Sequence, residues 1–209
     1  MAFIDTIPAR WAAGETFAMY DRQQRHYGYV PSYATVFSHR PEVMGRWAEL
    51  LAAIKRPMGK RRFELATFAA AHELKSTLCT LAHGKALLEF FSSADVIALA
   101  RGETPPSITP AEAALMRFAR AVARDASSIT ADDVARLKAH GFSDAEVFDV
   151  VATTAGRAFF TKVIESLGVA SDAPLKEVDP ELRAALAVGR PIQFAEPDRL
   201  EEPEFLAVR

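Results

Sequence analysis

Five residues in one stretch of the chain have types and spacings that could do chemistry: Glu64, His72, Ser76, Cys79 and His83, separated by eight, four, three and four residues. A thiol, two imidazoles, a hydroxyl and a carboxylate are the parts of a nucleophile–base–orienter arrangement, in which the carboxylate holds an imidazole and the imidazole takes a proton from sulfur. In an unbroken helix, at about 100° per residue, His72, Ser76, Cys79 and His83 fall within about 60° of arc, with Glu64 at the edge. A second geometry gathers the same groups. If the helix breaks near Lys75, Ser76 becomes the N-cap of a new helix, Cys79 takes its third position and His83 lies one turn on. A thiolate there feels the positive end of the helix dipole and a neighbouring imidazole. In either case a polar stripe runs along a Phe- and Ala-rich segment, where unpaired polar groups are costly to bury.

Each of these residues also has a plainer reading. A lone cysteine is most often a small buried hydrophobe. Ser76 reads as a helix cap rather than a nucleophile, because no Gly-x-Ser-x-Gly elbow surrounds it. His83 could be a satisfied core histidine, although its four-residue offset favours contact with Cys79. His72, beside Glu73, fits a partly solvated turn and at most supports the site from behind. Glu64 could pair with Lys60 or Arg61 as a surface ion pair of small energetic weight. Cys79 and His83 could also ligate zinc, with His72 or Glu64 completing a site. Structural zinc takes four closed ligands and no second Cys/His pair exists, so neither a metal nor a cofactor is expected. His26, His39 and His140 carry no readable role.

Helices must position these groups. None of the 12 prolines falls between Met58 and Thr104 or between Ala111 and Ala173, and both windows have helical rather than alternating periodicity. The first opens with Lys60, Arg61 and Arg62, read as a solvated basic face, and carries Phe63, Leu65, Phe68 and Ala69. In the second, Thr109-Pro110-Ala111-Glu112 is a capping box with proline at the first helical position. It starts a helix that should bury Leu115, Phe118, Ala119 and Val122. Thr130 to Asp133 starts another, stopped by Gly141, and Ser143 to Glu146 starts a long one, stopped by Gly168.

Pro41 and Pro57 bracket a helix with Val43, Trp47, Leu50, Leu51 and Ile54. A helix between Gly14 and Gly28 should turn Phe17, Tyr20 and Gln24 inward, and Asp179-Pro180-Glu181 opens a short one ended near Gly189. β-Branched residues are sparse and no run alternates, so no strand is expected. The fold class is all-α. Residues 1–189 read as a single helical domain. Residues 190–209 form a tail with Pro191, Pro197 and Pro203 and the acids Glu196, Asp198, Glu201 and Glu202. That tail is either flexible or extended over a neighbouring subunit.

A chain of 209 residues and 22.9 kDa is long enough to bury roughly 70% of its unfolded surface without disulfide or metal staples. Half the residues are apolar and a quarter charged, which excludes a disordered chain. The 25 basic and 27 acidic residues leave a charge of -2 and no basic stripe, which argues against a nucleic-acid partner. One cysteine rules out a disulfide framework within the chain and fits a reducing compartment. The first residues lack a basic-then-apolar signal pattern and no stretch approaches a membrane span. A soluble cytoplasmic protein with no membrane partner is expected.

The spacing Glu64-x11-Ser76-x2-Cys79-x3-His83 resembles the Glu…Cys-x2-Cys-x3-His signature of the carboxymuconolactone decarboxylase and alkylhydroperoxidase D-like superfamily, with Ser76 in place of the first cysteine. Gly28-Tyr29-Val30-Pro31-Ser32-Tyr33, Ser38-His39-Arg40-Pro41-Glu42, Gly141-Phe142-Ser143-Asp144-Ala145-Glu146 and the run from Phe159-Phe160 to Leu167-Gly168-Val169 are similar to its peroxidase-related branch. The resemblance spans roughly residues 12 to 170. It implies a bundle of paired antiparallel helices that assembles into a homo-oligomer. In peroxidase members a thiolate at the position of Cys79 attacks a hydroperoxide. The cysteine at the position of Ser76 then closes a disulfide, which a dithiol such as lipoamide reduces. The groups at the positions of Glu64 and His83 support proton transfer.

This chain departs from that pattern twice. Serine cannot resolve a sulfenic acid, and Leu78 stands where a relay histidine often precedes the cysteine. The resemblance therefore implies a thiol-dependent, peroxidase-like antioxidant protein that reduces hydroperoxides through one cysteine, with an external thiol or dithiol as reductant. Cys79 would be the nucleophile, His83 and Glu64 the acid/base pair, Ser76 a hydrogen-bonding cap and His72 a supporting group. The alternatives are a lyase, in which Glu64 and His83 shuttle a proton on a small organic acid, and a non-enzymatic redox sensor or oligomeric binding module.

Overall fold

The computed structural model describes residues 2–200. Ten α-helices follow in order: α1 (Gly14–Tyr27), α2 (Ser32–Val36), α3 (Pro41–Met58), α4 (Lys60–Glu73), α5 (Thr77–Leu87), α6 (Ser93–Ala100), α7 (Pro110–Arg124), α8 (Ala131–Lys138), α9 (Asp144–Ser166) and α10 (Pro180–Ala185). The all-α class is as the periodicity implies. The exception is a parallel pair of two-residue strands, β1 (Ser171–Asp172) and β2 (Phe194–Ala195), too short to leave an alternating pattern in the sequence. Among the described residues no helix is long and apolar enough to cross a membrane. Two compact units emerge, one of described residues 2–48, 164–176 and 193–200, the other of 49–163 and 177–192, with the division falling inside α3 and α9.

In the first unit α1 buries a narrow stripe of Thr16, Met19 and Tyr20, and the Tyr20 hydroxyl donates to the Ile7 carbonyl at 2.7 Å. Phe17, expected inside, is 46% exposed. It sits about 100° round the helix from Thr16, on the solvent side of so thin a stripe. Gln24 reaches the backbone of Leu200, accepting from its N–H at 2.7 Å and donating to its carbonyl at 3.2 Å. The described part of the tail is extended along its own chain. Phe194 and Ala195 pair with β1, Val30 bridges to Asp198, and the Asp198 carboxylate accepts from the Ala9 N–H at 2.6 Å. Glu201, Glu202 and Pro203 lie outside the described residues.

The second unit is built round α4, buried without interruption from Phe63 to Ala71. It packs on α5 and α7, while α6 meets α10 and α7 meets α8. Ala66, Ala69, Ala70 and Ala71 let neighbouring helices approach from several sides, and burying side chains such as Leu65 and Phe68 stabilises the unit by roughly 1.5–3 kcal/mol each. Full capping boxes open α6 (Ser92 with Asp95), α7 (Thr109 with Glu112) and α8 (Thr130 with Asp133). Ser143 and Glu146 make the same reciprocal pair before α9. Gly141 and Gly168 take left-handed φ of 88° and 66°, which only glycine adopts without strain. On α7, Leu115, Phe118 and Ala119 are buried and Val122 is half-buried.

Lys60, Arg61 and Arg62 are solvated as expected, but they are paired as well. Each reaches an acid outside α4: Lys60 pairs with Glu89, Arg61 Nε with Glu112 at 2.6 Å, and Arg62 with Glu146 at 2.7 Å. Cations in a helix's first turn oppose its dipole. These acids neutralise them and tie the start of α4 to α7 and α9.

Candidate active site

Of the two geometries open to the motif, the chain takes the broken one. Lys75 has φ 55°, a left-handed turn that ends α4, and the Ser76 N–H donates back to the Ala71 carbonyl at 3.1 Å. Ser76 is extended (φ −95°, ψ 103°) and its hydroxyl accepts from the Cys79 N–H at 3.3 Å, so it is the N-cap of α5. The Thr80 hydroxyl donates to the Ser76 carbonyl at 2.7 Å. The turn is clamped from behind. Thr77 donates to the Arg190 carbonyl at 2.8 Å and accepts from the Gly189 N–H at 3.0 Å. A β-carbon at Gly189 would overlap the Lys75 carbonyl. Cys79 thus sits at the third position of α5, 4% exposed, within the first turn where the helix dipole acts most strongly.

One turn along α5, His83 Nδ1 lies 2.7 Å from Glu64 Oε2 of α4. Glu64 is 5% exposed. Its other oxygen is 3.8 Å from Lys55 Nζ of α3. That ammonium and the Arg157 guanidinium of α9 lie over the Phe63 ring at 5.2 and 5.4 Å. Burial pushes the Glu64 carboxyl up, but the hydrogen bond and charge of His83, with the charges of Arg157 and Lys55, outweigh it and hold the group below its usual range. Burial, helped by Arg157, also holds His83 below the usual imidazole value, against the pull of Glu64. At neutral pH the pair is therefore a carboxylate and a neutral imidazole. Nδ1–H donates to Glu64, which leaves the Nε2 lone pair available as a base. Glu64, Lys55, Arg157 and a neutral His83 sum to one positive charge, a field that favours an anion nearby.

From α9 the Thr161 hydroxyl donates to Cys79 Sγ at 3.6 Å. Glu64 on α4 thus bonds His83 on α5, Ser76 caps the helix that carries Cys79, and Glu64 does not pair with Lys60 or Arg61. His72 has other neighbours. Its Nε2 donates to the Ala100 carbonyl at the end of α6, at 2.8 Å, and Phe68 lies beside its ring. The break at Lys75 removes the shared arc that an unbroken helix would have given it. Glu73 pairs with Arg124 at 2.7 Å.

Lys55, Arg157 and Thr161 were not read from the sequence, because they come from α3 and α9 and share no local spacing with the motif. The available signal was Arg157 and Thr161, four residues apart in a run otherwise made of Ala155, Gly156, Ala158, Phe159 and Phe160. Among the described residues no cluster of three or more His, Cys, Asp or Glu side chains is arranged to hold a metal ion.

No family model and no curated protein matches the sequence. Solved structures do match the fold. One is an uncharacterized peroxidase-related protein from Ralstonia eutropha JMP134, described as an alkylhydroperoxidase AhpD core. It has a TM-score of 0.70 at 19% identity, over 90% of this chain and 98% of that one. A second, an uncharacterized peroxidase-related protein from Silicibacter sp. TM1040, also gives 0.70 at 19% identity, over 84% and 94%. A third is a cysteine-to-alanine variant of the debrominase Bmp8 in complex with 2,3,4-tribromopyrrole, with a TM-score of 0.65 at 14% identity over 89% and 98%. At these identities the likeness is one of architecture: the chain has the all-helical fold of the alkylhydroperoxidase D core.

Proposed function

We propose that this protein reduces hydroperoxides through the single thiol of Cys79. The observation that carries the reading is the placing of that sulfur. It sits at the third position of α5, one turn from an imidazole whose Nδ1 is held by a buried carboxylate. His83 Nε2 takes the thiol proton, Glu64 holds the resulting imidazolium, and the thiolate attacks the distal peroxide oxygen. The O–O bond breaks, a sulfenic acid forms on Cys79, and the leaving alkoxide takes the proton from His83 to give an alcohol. Ser76 cannot form a disulfide, so an external thiol condenses with the sulfenic acid, releasing water and leaving a mixed disulfide. A second thiol, or the other sulfur of a dithiol, then restores Cys79 and leaves as disulfide. Assembly into a homo-oligomer, with Ser76 standing where relatives carry a resolving cysteine, belongs to the same reading. So does activity in a reducing cytoplasm.

Intact-mass measurement after one equivalent of an organic hydroperoxide tests this. One added oxygen on Cys79, removed by excess small thiol, is the expected result. A Cys79 that stays reduced while glutathione in the same tube oxidises would overturn it. Because a similar fold carries a debrominase, a brominated pyrrole belongs in the substrate panel. Turnover of any substrate that survives Cys79→Ala would move the reading to proton shuttling by Glu64 and His83.

A further inference from the structure

We infer that Thr161 is the side-chain donor that holds the Cys79 thiolate in its reactive form; this rests on the thiol reading of the site. The usual arrangement of a threonine inside a helix is a back-bond to the carbonyl four residues earlier. Thr154, two turns before Thr161 in α9, does this, donating to Val150 at 2.8 Å, and Thr80 in α5 does the same to Ser76. Thr161 instead directs its hydroxyl across the core to a sulfur 82 residues away in sequence, at 3.6 Å. It is 2% exposed, so the hydroxyl must satisfy itself inside the protein. A neutral thiol is a weak acceptor, whereas a thiolate accepts a charge-assisted hydrogen bond. The contact therefore discriminates between the two states of Cys79, which a packing contact would not.

The helices that carry the pair also carry His83 on α5 and Arg157 on α9, which interact with Glu64 on α4 and Lys55 on α3. Arg157 stands one turn before Thr161. Helix α9 thus contributes a direct donor to the sulfur and, on the same side, a positive charge. Thr153 supplies an internal control, since its hydroxyl also meets a sulfur, Met58 Sδ, at 3.5 Å, but a thioether cannot ionise.

The test is the rate of alkylation of the reduced, full-length protein by iodoacetamide as a function of pH. Thr161→Val should slow alkylation about tenfold at pH 7, the loss expected for one hydrogen bond to a charged group, and should move the profile to higher pH. Thr161→Ser should restore it to within about twofold, because the hydroxyl is kept. Thr153→Val should behave as the unaltered protein. Should Thr161→Val fail to fold, Thr161→Ala carries the same expectation. A valine or alanine variant whose profile overlays that of the parent would overturn the inference, as would an equal displacement by Thr153→Val. The two readings fail separately: peroxide turnover that persists in Cys79→Ala removes the peroxidase while leaving the alkylation result standing. An unmoved profile together with Cys79-dependent turnover removes only the role of Thr161.

Discussion

Glu64 and Glu112 are both buried carboxylates, 5% and 7% exposed, and for both the largest influence is burial pushing the carboxyl up, outweighed by hydrogen-bonded partners. Their partners differ in kind. Glu112 accepts from Arg61 twice, at 2.6 and 3.2 Å, and from the Thr109 N–H and hydroxyl at 3.0 Å each. A guanidinium and a backbone amide never change protonation at working pH, so every bond round Glu112 is permanent. Glu64 has one close partner, the His83 imidazole, and a lysine at 3.8 Å. That imidazole, although burial holds it below its ordinary value, is a group that can gain and lose a proton. A buried acid saturated by fixed donors holds a helix start in place. One shared with an imidazole is poised to move protons.

Glu64→Gln should break this contrast most sharply. The amide keeps the shape and can still accept from Nδ1–H, but it cannot stabilise an imidazolium. Peroxide turnover should fall by about a hundredfold or more, as for removal of a general acid–base partner, while the fold is retained. Steady-state rates set beside a circular dichroism spectrum would show it. A variant with full activity would place Glu64 alongside Glu112 as a purely structural acid.

Glu112→Gln should have the opposite profile. Glutamine can still close the capping box, so what is lost is the charge shared with Arg61. That guanidinium is 36% exposed, so solvent screening reduces its share, and a cost of about 1–2 kcal/mol in urea-determined stability is expected. Turnover per folded molecule should not change. A loss of turnover without loss of stability would refute the division between the two acids.

These two acids also show how far the sequence could be read. The box that holds Glu112 is local, four residues long, and legible as Thr109-Pro110-Ala111-Glu112. So were the starts at Thr130 and Ser143 and the stops at Gly141 and Gly168. The partnership of Glu64 with His83 was legible from spacing, and the cap at Ser76 from residue type. The choice between a continuous and a broken helix was not. It depends on Gly189 and Arg190, whose contacts with Lys75 and Thr77 come from more than a hundred residues away in the chain. Lys55, Arg157 and Thr161 were not read because they come from other helices and share no local spacing with the motif. Phe17 was misplaced because periodicity gives the direction of a side chain but not the width of the buried face.

The smallest effect expected concerns pH. Burial holds His83 and His72 below their ordinary value in the folded protein, whereas in the unfolded chain they take a proton near pH 6.5. Between those limits the unfolded state binds more protons, so stability falls as pH drops below about 6.5. Glu64, Glu73 and Glu112, each held below the usual carboxyl range, add a further loss at lower pH, once the unfolded carboxyls begin to protonate near 4.3. Urea midpoints between pH 8 and 4 should trace two such declines. Glu64→Gln removes the carboxylate that partly offsets the burial of His83, so the first decline should extend to lower pH. Glu112→Gln should leave that decline where it is, since Arg61 and Thr109 have no proton to exchange in this range. A first decline that shifts equally in both variants would mean that the imidazole does not respond to Glu64, and the chemical distinction between the two acids would be lost.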